Sequence, residues 1–347
     1  MKRLWKHGLA KATRVNYRRN MRRYSNWANK HGIEGDGIDG KPTEVDLIYY
    51  LACEVKRGLA PGSVKGSLTA IVNGTIANGF SNPMLDDNGI PLPTLHRVVR
   101  GISRRYTKAR KERRPLTTDK LAAILKFAEQ VTQSPFNATM MKAALSLGVY
   151  LLLRVSEFVH PTMKAKHNKK KHMSLRDVTF LPNFEHATMM DVRIRASKTD
   201  PYRNGQTLRA IANGSATCPV RLMKEWIKVR GRKNPKQPLF AMQGGKNLTR
   251  AKLQQWMRAA LDKAGYEGMR HSMHSLRKGG AESLAAAGFD TSVIMVLGRW
   301  KSSAHLLYTK MSDRMKQDAS KALGNLQRQD LLQFERRGRN KQSAAWL

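Results

Sequence analysis

Acidic residues are scarce in this chain. Its 347 residues include 25 Asp and Glu against 64 Lys and Arg, so the formal net charge is +39, and the sequence pI is about 10.8. Cysteine is also rare. Cys53 and Cys218 cannot build a disulfide framework or a zinc cluster, and such low cysteine use is typical of a reducing, intracellular environment.

Long apolar runs are missing as well. No stretch approaches the roughly eighteen consecutive apolar residues that indicate a membrane-spanning helix. The opening residues, MKRLWKHGLAKATR, have no apolar core of the kind found in signal peptides. We therefore expect neither membrane insertion nor secretion.

Motifs for metal and nucleotide chemistry are absent too. The sequence has no HEXXH, no paired acids of the two-metal nuclease type and no Cys/His cluster. His167, His172 and the pair His271 and His274 have no acidic residues at ligand spacing, so we predict that they are not ligands. No GXXXXGK[ST] is present, which argues against ATP use. The sequence thus predicts no metal and no cofactor.

The surplus of positive charge is the dominant feature of what is present. A charge of +39 opposes compaction unless a polyanion neutralises it, and nucleic acid is the commonest polyanion bound by soluble proteins of this balance. The length suggests two domains, and 41% hydrophobic residues are enough to bury two cores. A disordered basic tail protein is therefore excluded as an interpretation.

Residues 1–30 contain ten Lys and Arg and no acid. Apolar residues recur at helical spacing, on a face formed by Tyr17, Met21, Tyr24 and Trp27. Arg14, Arg18 and Arg22 fall on another face. These arginines could form an ordinary solvated surface, but the lack of balancing acids favours phosphate contacts.

A basic segment, KARKERRP, divides the chain at 108–115. Before it, residues 1–107 show helical patterns, including a helix after Thr43, one opened by Pro61 and one at 94–106. We place the boundary here because charge, loss of periodicity and proline coincide. We also predict phosphate contacts from the segment's basic residues, which are Lys108, Arg110, Lys111, Arg113 and Arg114.

Residues 116–347 mix helical and strand patterns. Helices are predicted from Thr117 or Thr118 to 130 and over 138–153, and strand-like alternation follows in three segments, 175–181, 189–196 and 206–212. Asn204-Gly205 indicates a turn between the last two strands. Helical patterns then resume, and the last of them covers 312–334.

Four motifs in this half occur in an order that resembles the tyrosine recombinases, also called the phage-integrase family. LLLRVSEF is similar to the first arginine box of that family, ASKTDPYRNG to its lysine hairpin, HSLRKGG to its second box and LGRWKSSAHLLYTK to its last. The resemblance covers most of the chain, although KATRVNYRRNMRRYSNWANKHG, at 11–32, matches the family's core-binding domain only as a helical pattern. It implies a mainly α fold with a small antiparallel sheet, arranged as a two-domain, C-shaped DNA clamp with a helical core-binding domain and an α+β catalytic domain.

The resemblance also implies the site residues. The catalytic set would be Arg154, Lys198, His274, Arg277, Trp300 and the nucleophile Tyr308. Two guanidinium groups can stabilise the negative charge that develops on the nonbridging oxygens of a phosphorane. A lysine with a lowered pKa can protonate the departing 5′ oxygen. His274 can share acid-base work, and Trp300 offers one donor and packing. Glu157 either orients an arginine or histidine or is a plain surface acid.

Other consequences of the resemblance concern partners. It implies double-stranded DNA as the partner, a homotetramer on two DNA sites, no membrane, and an intracellular location that would be the nucleus in a eukaryotic host. The helix at 312–334 would dock on a neighbouring protomer or within its own chain. A type IB topoisomerase and a catalytically silent DNA-binding protein are the alternative functions.

Two features depart from the commonest pattern of the family. Tyr308 follows Trp300 by eight residues, and the form GRWxSxxxxxY resembles the DIRS and Crypton branch of mobile elements. The insert KAKHNKKKHMS at 164–174 is longer than expected. It could contact DNA, act as a nuclear import signal or be a solvated insertion.

Overall fold

The computed structural model describes residues 8–107, 112–198, 200, 202–232 and 234–300. Five residues or segments of the sequence predictions lie outside these ranges, namely Lys108, Arg110, Lys111, Tyr308 and the helix at 312–334. The chain divides into two compact units, Met1–Arg110 and Lys111–Leu347. No helix in the described ranges is long and apolar enough to cross a membrane.

The N-terminal unit is built from helices. They are α1 (Lys11–Lys30), α2 (Glu44–Lys56), α3 (Pro61–Ala77) and α4 (Pro93–Tyr106). Met21 and Tyr24 of α1 are buried as the periodicity predicts, whereas Tyr17 and Trp27 are half-buried. Thr43 caps α2 in a reciprocal pair with Asp46, which satisfies backbone N–H groups at the helix start.

The C-terminal unit surrounds a small sheet with helices. Its first helices are α5 (Thr118–Leu125), α6 (Ala128–Thr132), α7 (Pro135–Tyr150) and α8 (Val155–Phe158), and its strands are β1 (Val178–Leu181), β2 (Met189–Ile194) and β3 (Gln206–Ile211). The last described helices are α9 (Pro219–Arg230), α10 (Arg250–Lys263), α11 (His274–Ala286) and α12 (Thr291–Gly298). The strands pair in the order β1-β2-β3, all antiparallel, so the predicted mainly helical fold with a small antiparallel sheet is confirmed.

Two predicted helices differ from those in the structure. The helix expected over 138–153 ends at Tyr150, and the helix expected to reach 130 is divided into α5 and α6. At the end of α7, Leu153 N–H bonds the Gly148 carbonyl and Leu152 N–H bonds the Val149 carbonyl. This is the Schellman pattern, with Leu152 at φ +46 where glycine is usual. Because α7 ends at this turn, Arg154 lies outside the helix.

Candidate active site

A buried carboxylate, that of Glu157, lies between two arginines. Arg154 Nη1 is 3.2 Å from Glu157 Oε1, and Arg299 Nη2 is 3.0 Å from Glu157 Oε2. The Ser197 hydroxyl donates to the same Oε1 at 2.9 Å. Only 1% of the Glu157 side chain is exposed. Glu157 is therefore not a surface acid, and its role in orienting an arginine or histidine stays a prediction.

Local backbone structure places Arg154 beside Glu157. Arg154 precedes the first residue of α8, and its backbone N–H donates to Glu157 Oε2 at 2.9 Å. Its guanidinium also donates to the Ser197 hydroxyl at 2.9 Å, which connects it to the segment after β2. One glutamate therefore holds both the backbone and the side chain of this arginine.

Arg277 of α11 lies in the interior, 3% exposed. Its guanidinium donates to the Leu152 carbonyl at 2.6 Å and to the Gly298 carbonyl, and it lies 4.2 Å from the centre of the Trp300 ring. Because these carbonyls come from the turns after α7 and at the end of α12, Arg277 joins the two segments that carry Arg154 and Trp300.

Two glycines after Arg277 allow α11 to approach its neighbours closely. A Cβ atom at Gly279 would overlap the Leu116 backbone, and one at Gly280 would overlap the Val149 carbonyl oxygen. Leu116 N–H bonds the Ser275 carbonyl at 2.9 Å in the same contact. The glycine pair is therefore a packing requirement that helps to position Arg277.

His274 is the first residue of α11, one turn before Arg277. Desolvation of the ring lowers the pKa of His274, and the charges of Arg250, Arg277, Arg154 and Lys198 lower it further. The residue as a whole is nevertheless exposed. An anionic ligand at this position would offset the effect of the four cations on the pKa of His274. The ring is accordingly neutral at pH 7 in a strongly positive region.

Lys198 is exposed on the loop that joins β2 to β3. The Asp200 carboxylate shapes this loop by accepting from Asn204 N–H at 3.2 Å and Gly205 N–H at 2.9 Å. Gly205 has φ +73, in agreement with the turn predicted at Asn204-Gly205. A cleft of about 590 Å³ is lined by this loop, by α12 and by Trp300.

The structure adds three residues that the sequence did not single out. Arg299 binds Glu157, Ser197 binds Arg154, and the charge of Arg250 acts on His274. Arg299 directly precedes Trp300, so its position in the GRW motif was an available signal. Ser197 likewise directly precedes Lys198 in ASKTDPYRNG. No comparable signal marked Arg250, because it lies outside the four motifs.

The predicted DNA-binding residues lie in two places. Arg14, Arg18 and Arg22 border a groove of the N-terminal unit. Arg113 donates to the Met269 carbonyl at 2.8 Å, and Arg114 Nη2 is 3.4 Å from Glu267 Oε2. Within the C-terminal unit, the end of the basic segment is therefore held against residues 267–270.

One group of histidines in the described residues has metal-binding geometry. It consists of His160, His167 and His172, each with one ring nitrogen within 4.8 Å of the others. His167 and His172 were predicted not to be ligands because no acidic residues lie at ligand spacing in the sequence. The fold supplies a histidine, His160, as their partner. Burial, and then His172 and His167, lower the pKa of His160 to about 4.

Comparison with known proteins gives one family match and several structural ones. The model described as the phage integrase family matches residues 114–314. The XerH site-specific recombinase bound to palindromic difH substrate in a post-cleavage complex is 18% identical, with a TM-score of 0.56, covering 81% of this chain and 70% of that chain. Comparison with curated proteins found no match.

Two further solved structures share the fold. A lambda integrase dimer bound to a COC′ core site is 16% identical, with a TM-score of 0.54 over 90% of this chain and 75% of that chain. The Tn1549 transposon integrase in complex with transposon right end DNA is 14% identical, with a TM-score of 0.55 over 91% and 95%. Because the family model spans more than half of the residues, this chain belongs to the phage integrase family, the tyrosine recombinases.

Proposed function

We propose that this chain is a site-specific DNA recombinase that cuts and rejoins DNA through a 3′-phosphotyrosyl bond to Tyr308. The observation that carries the proposal is the convergence of positive charge on His274, where Arg154, Arg277, Lys198 and Arg250 all act. Such a set suits a phosphodiester whose nonbridging oxygens gain charge in the transition state. Structures of the same fold hold substrate, core-site and transposon-end DNA, which supports the same class of ligand.

In the proposed reaction, the Tyr308 oxygen attacks phosphorus while the bond from phosphorus to the 5′ oxygen breaks. Arg154 and Arg277 stabilise the nonbridging oxygens. Lys198 gives a proton to the departing 5′ oxygen, and neutral His274 accepts or shares the phenol proton. A 5′ hydroxyl of a second strand then attacks the phosphotyrosine and releases Tyr308, so the bond energy is conserved.

Glu157 and Arg299 act on the arginines in this scheme, not on the phosphate. The buried carboxylate accepts from Arg154 and so restricts the directions its guanidinium can take. Arg299 shares the charge of the carboxylate. A glutamate paired with Arg154 alone would bind its guanidinium tightly and compete with the phosphate for it. Because Glu157 also pairs with Arg299, the Arg154 guanidinium can still donate to an incoming phosphate.

DNA binding would extend over both units. Arg14, Arg18 and Arg22 border their groove with Asn73 of α3 and with Asn78, which directly follows that helix. No acid occurs in residues 1–30 to compete for these arginines. Basic residues of 108–114 would add further phosphate contacts.

The finer assignment is a recombinase of a mobile element, acting in integration or excision and belonging to the DIRS and Crypton branch. The GRWxSxxxxxY form supports the branch, and the transposon integrase fold supports the element class. The active form would be a homotetramer on two DNA sites, with residues 312–334 docking on a neighbouring protomer or within their own chain. A type IB topoisomerase is the alternative with the same chemistry.

Trapping the covalent intermediate tests the proposal. Nicked suicide duplexes with a randomised core are incubated with the full chain, and adducts that survive denaturation are mapped by mass spectrometry. We expect DNA on Tyr308, no adduct with Tyr308→Phe, and an adduct with Tyr202→Phe, because Tyr202 is an 86% exposed tyrosine on the Lys198 loop. Adducts that persist in Tyr308→Phe would contradict the assignment.

The products of a second assay separate the two enzymes. Plasmids that carry the duplexes recovered as adducts are incubated with the chain, and the products are sequenced. A recombinase yields recombinants at defined sites. Relaxed circles without sequence preference would support a topoisomerase instead.

A further inference from the structure

The histidine cluster, His160, His167 and His172, has no part in the proposed strand exchange. His160 follows α8 by two residues, and the other two belong to the basic insert 164–174. His160 is 2% exposed, and the other two are half-buried. The cluster therefore joins an exposed, lysine-rich loop to the interior of the C-terminal unit.

The spacing of the ring nitrogens suits one metal ion. His160 Nε2 lies 3.0 Å from His167 Nδ1, and one nitrogen of each ring is within 4.8 Å of the other two. Bonds of about 2.0 Å in a tetrahedral zinc site place ligand nitrogens about 3.3 Å apart. Small side-chain rotations of the half-buried residues convert one spacing into the other.

The polar atoms around the cluster match the surroundings of a metal site. His160 Nδ1 is buried and has no hydrogen-bond partner among the described residues, so this nitrogen can bind an ion as the alternative to Nε2. His167 Nε2 lies 3.0 Å from the Ser174 hydroxyl, a contact that orients the ring as outer partners of metal-bound histidines do. An ion bound to His160 Nε2 and His167 Nδ1 would replace the hydrogen bond between these two rings. His172 Nδ1 accepts from Asn168 N–H at 3.1 Å, a contact that an ion bound at Nδ1 would also replace.

The chemistry of the donors selects the ion. Asp177 is the acid whose charge acts on His167, but its oxygens accept from Ser174 N–H and the Arg195 guanidinium. With three imidazoles and no carboxylate ligand, the site suits zinc and its borderline neighbours and not magnesium or calcium. We propose that His160, His167 and His172 bind one zinc-class divalent ion, with water as the fourth ligand.

The ion would fix the position of the basic insert. His160 N–H bonds the Leu248 carbonyl at 2.9 Å, immediately before Thr249, whose hydroxyl caps α10. The first residue of α10 is Arg250, which acts on His274. A metal at this point therefore ties the five exposed lysines of the insert to the framework that carries the active-site cations.

Metal content and affinity test the proposal. The full chain is produced without a histidine tag, dialysed against a chelator and titrated with zinc and with cobalt, alongside His172→Ala, His167→Ala and the control His186→Ala. His186 is an exposed histidine of the same unit. We expect one ion per chain and the visible absorption of tetrahedral cobalt, with affinity about a hundredfold lower in either cluster variant and unchanged in the control.

Thermal unfolding keeps the result interpretable if a variant folds poorly. Zinc should raise the melting temperature of the parent and of His186→Ala but not that of His172→Ala. His172 is half-buried, so its replacement by alanine should disturb the fold least. Less than a tenth of an ion per chain in the parent would overturn the proposal, as would equal binding by parent and His172→Ala. Either result would leave the cluster as a hydrogen-bonded group of neutral histidines.

Discussion

Arg299 donates two hydrogen bonds to Glu157, Nη1 to Oε1 at 3.3 Å and Nη2 to Oε2 at 3.0 Å, across 142 residues of sequence. Arg299 follows α12 with φ +58, and its Nη2 also donates to the Leu152 carbonyl at 3.2 Å. The pair thus connects the GRW motif to the turn that releases Arg154. The Arg299–Leu152 hydrogen bond joins two non-glycine residues at positive φ. This bond helps to stabilise the backbone strain of both residues.

Replacing Glu157 with glutamine should reduce cleavage by tenfold to a hundredfold, because the neutral amide no longer restrains Arg154 or balances Arg299. As a positioning effect, the loss should fall mainly on the cleavage rate of bound DNA and little on DNA affinity. Single-turnover cleavage and filter binding measure the two. Glu185→Gln, at an exposed acid of the same unit, is the control. Equal loss of affinity and rate would contradict a positioning role.

Arg154→Ala and Arg277→Ala should each slow cleavage by a hundredfold or more, about 3 kcal/mol in the barrier, as for lost oxyanion donors. DNA affinity should fall far less, since many other cations contact the backbone. Arg176→Ala, which removes an exposed arginine before β1, serves as the matched control. Near-parental cleavage by either variant on the trapped substrate would remove that arginine from the phosphate site.

Lys198→Ala should be severely slow on ordinary DNA, because an unprotonated 5′ oxygen is a poor leaving group. A 5′-bridging phosphorothiolate leaves as a thiolate and needs no proton, so the same variant should approach the parental rate on it. Arg277→Ala should show no such rescue. Equal impairment of Lys198→Ala on both substrates would make the lysine a binding residue and His274 the better acid.

His274 should give a pH-dependent contribution to stability. Its pKa is lowered in the folded chain by desolvation and by Arg250, Arg277, Arg154 and Lys198. The unfolded chain therefore takes up this proton more readily, and the stability lost grows as pH falls below about 6.5. The melting temperature of the parent relative to His274→Gln should thus decrease from pH 8 to pH 5.5. His186→Gln, at an exposed histidine of the same unit, is the matched control.

Gly279→Ala should destabilise the C-terminal unit by about 1–3 kcal/mol, since the added Cβ atom overlaps the Leu116 backbone. Gly101, a helical glycine of α4 with open space around its missing Cβ, provides the matched control. Gly101→Ala should be neutral or stabilise by roughly 0.5–1 kcal/mol. Denaturant unfolding measures the free energy of unfolding of both variants. Similar changes in that free energy would rule out the close packing at Gly279.

Local sequence predicted much of the fold. The cap at Thr43, the proline that opens α3 and the strand alternation all act through neighbours within a few residues. Their consequences can be computed from spacing alone. The set Arg154, Lys198, His274 and Arg277 could also be predicted from the sequence. The charge and the proton chemistry of a side chain depend first on its residue type, which the sequence states directly.

The tertiary structure decided what lies beside those residues. The Schellman turn at Leu152 forms because buried leucines continue past the end of α7, a packing preference that overrides the usual glycine. Glu157 could be a surface acid or an orienting residue until the fold brought Ser197 and Arg299 to it. His160 is 7 residues from its hydrogen-bond partner His167. A spacing of seven would place two residues on one face of a helix, but residues 161–173 form a loop, so their meeting depends on the path of that loop and on burial of His160.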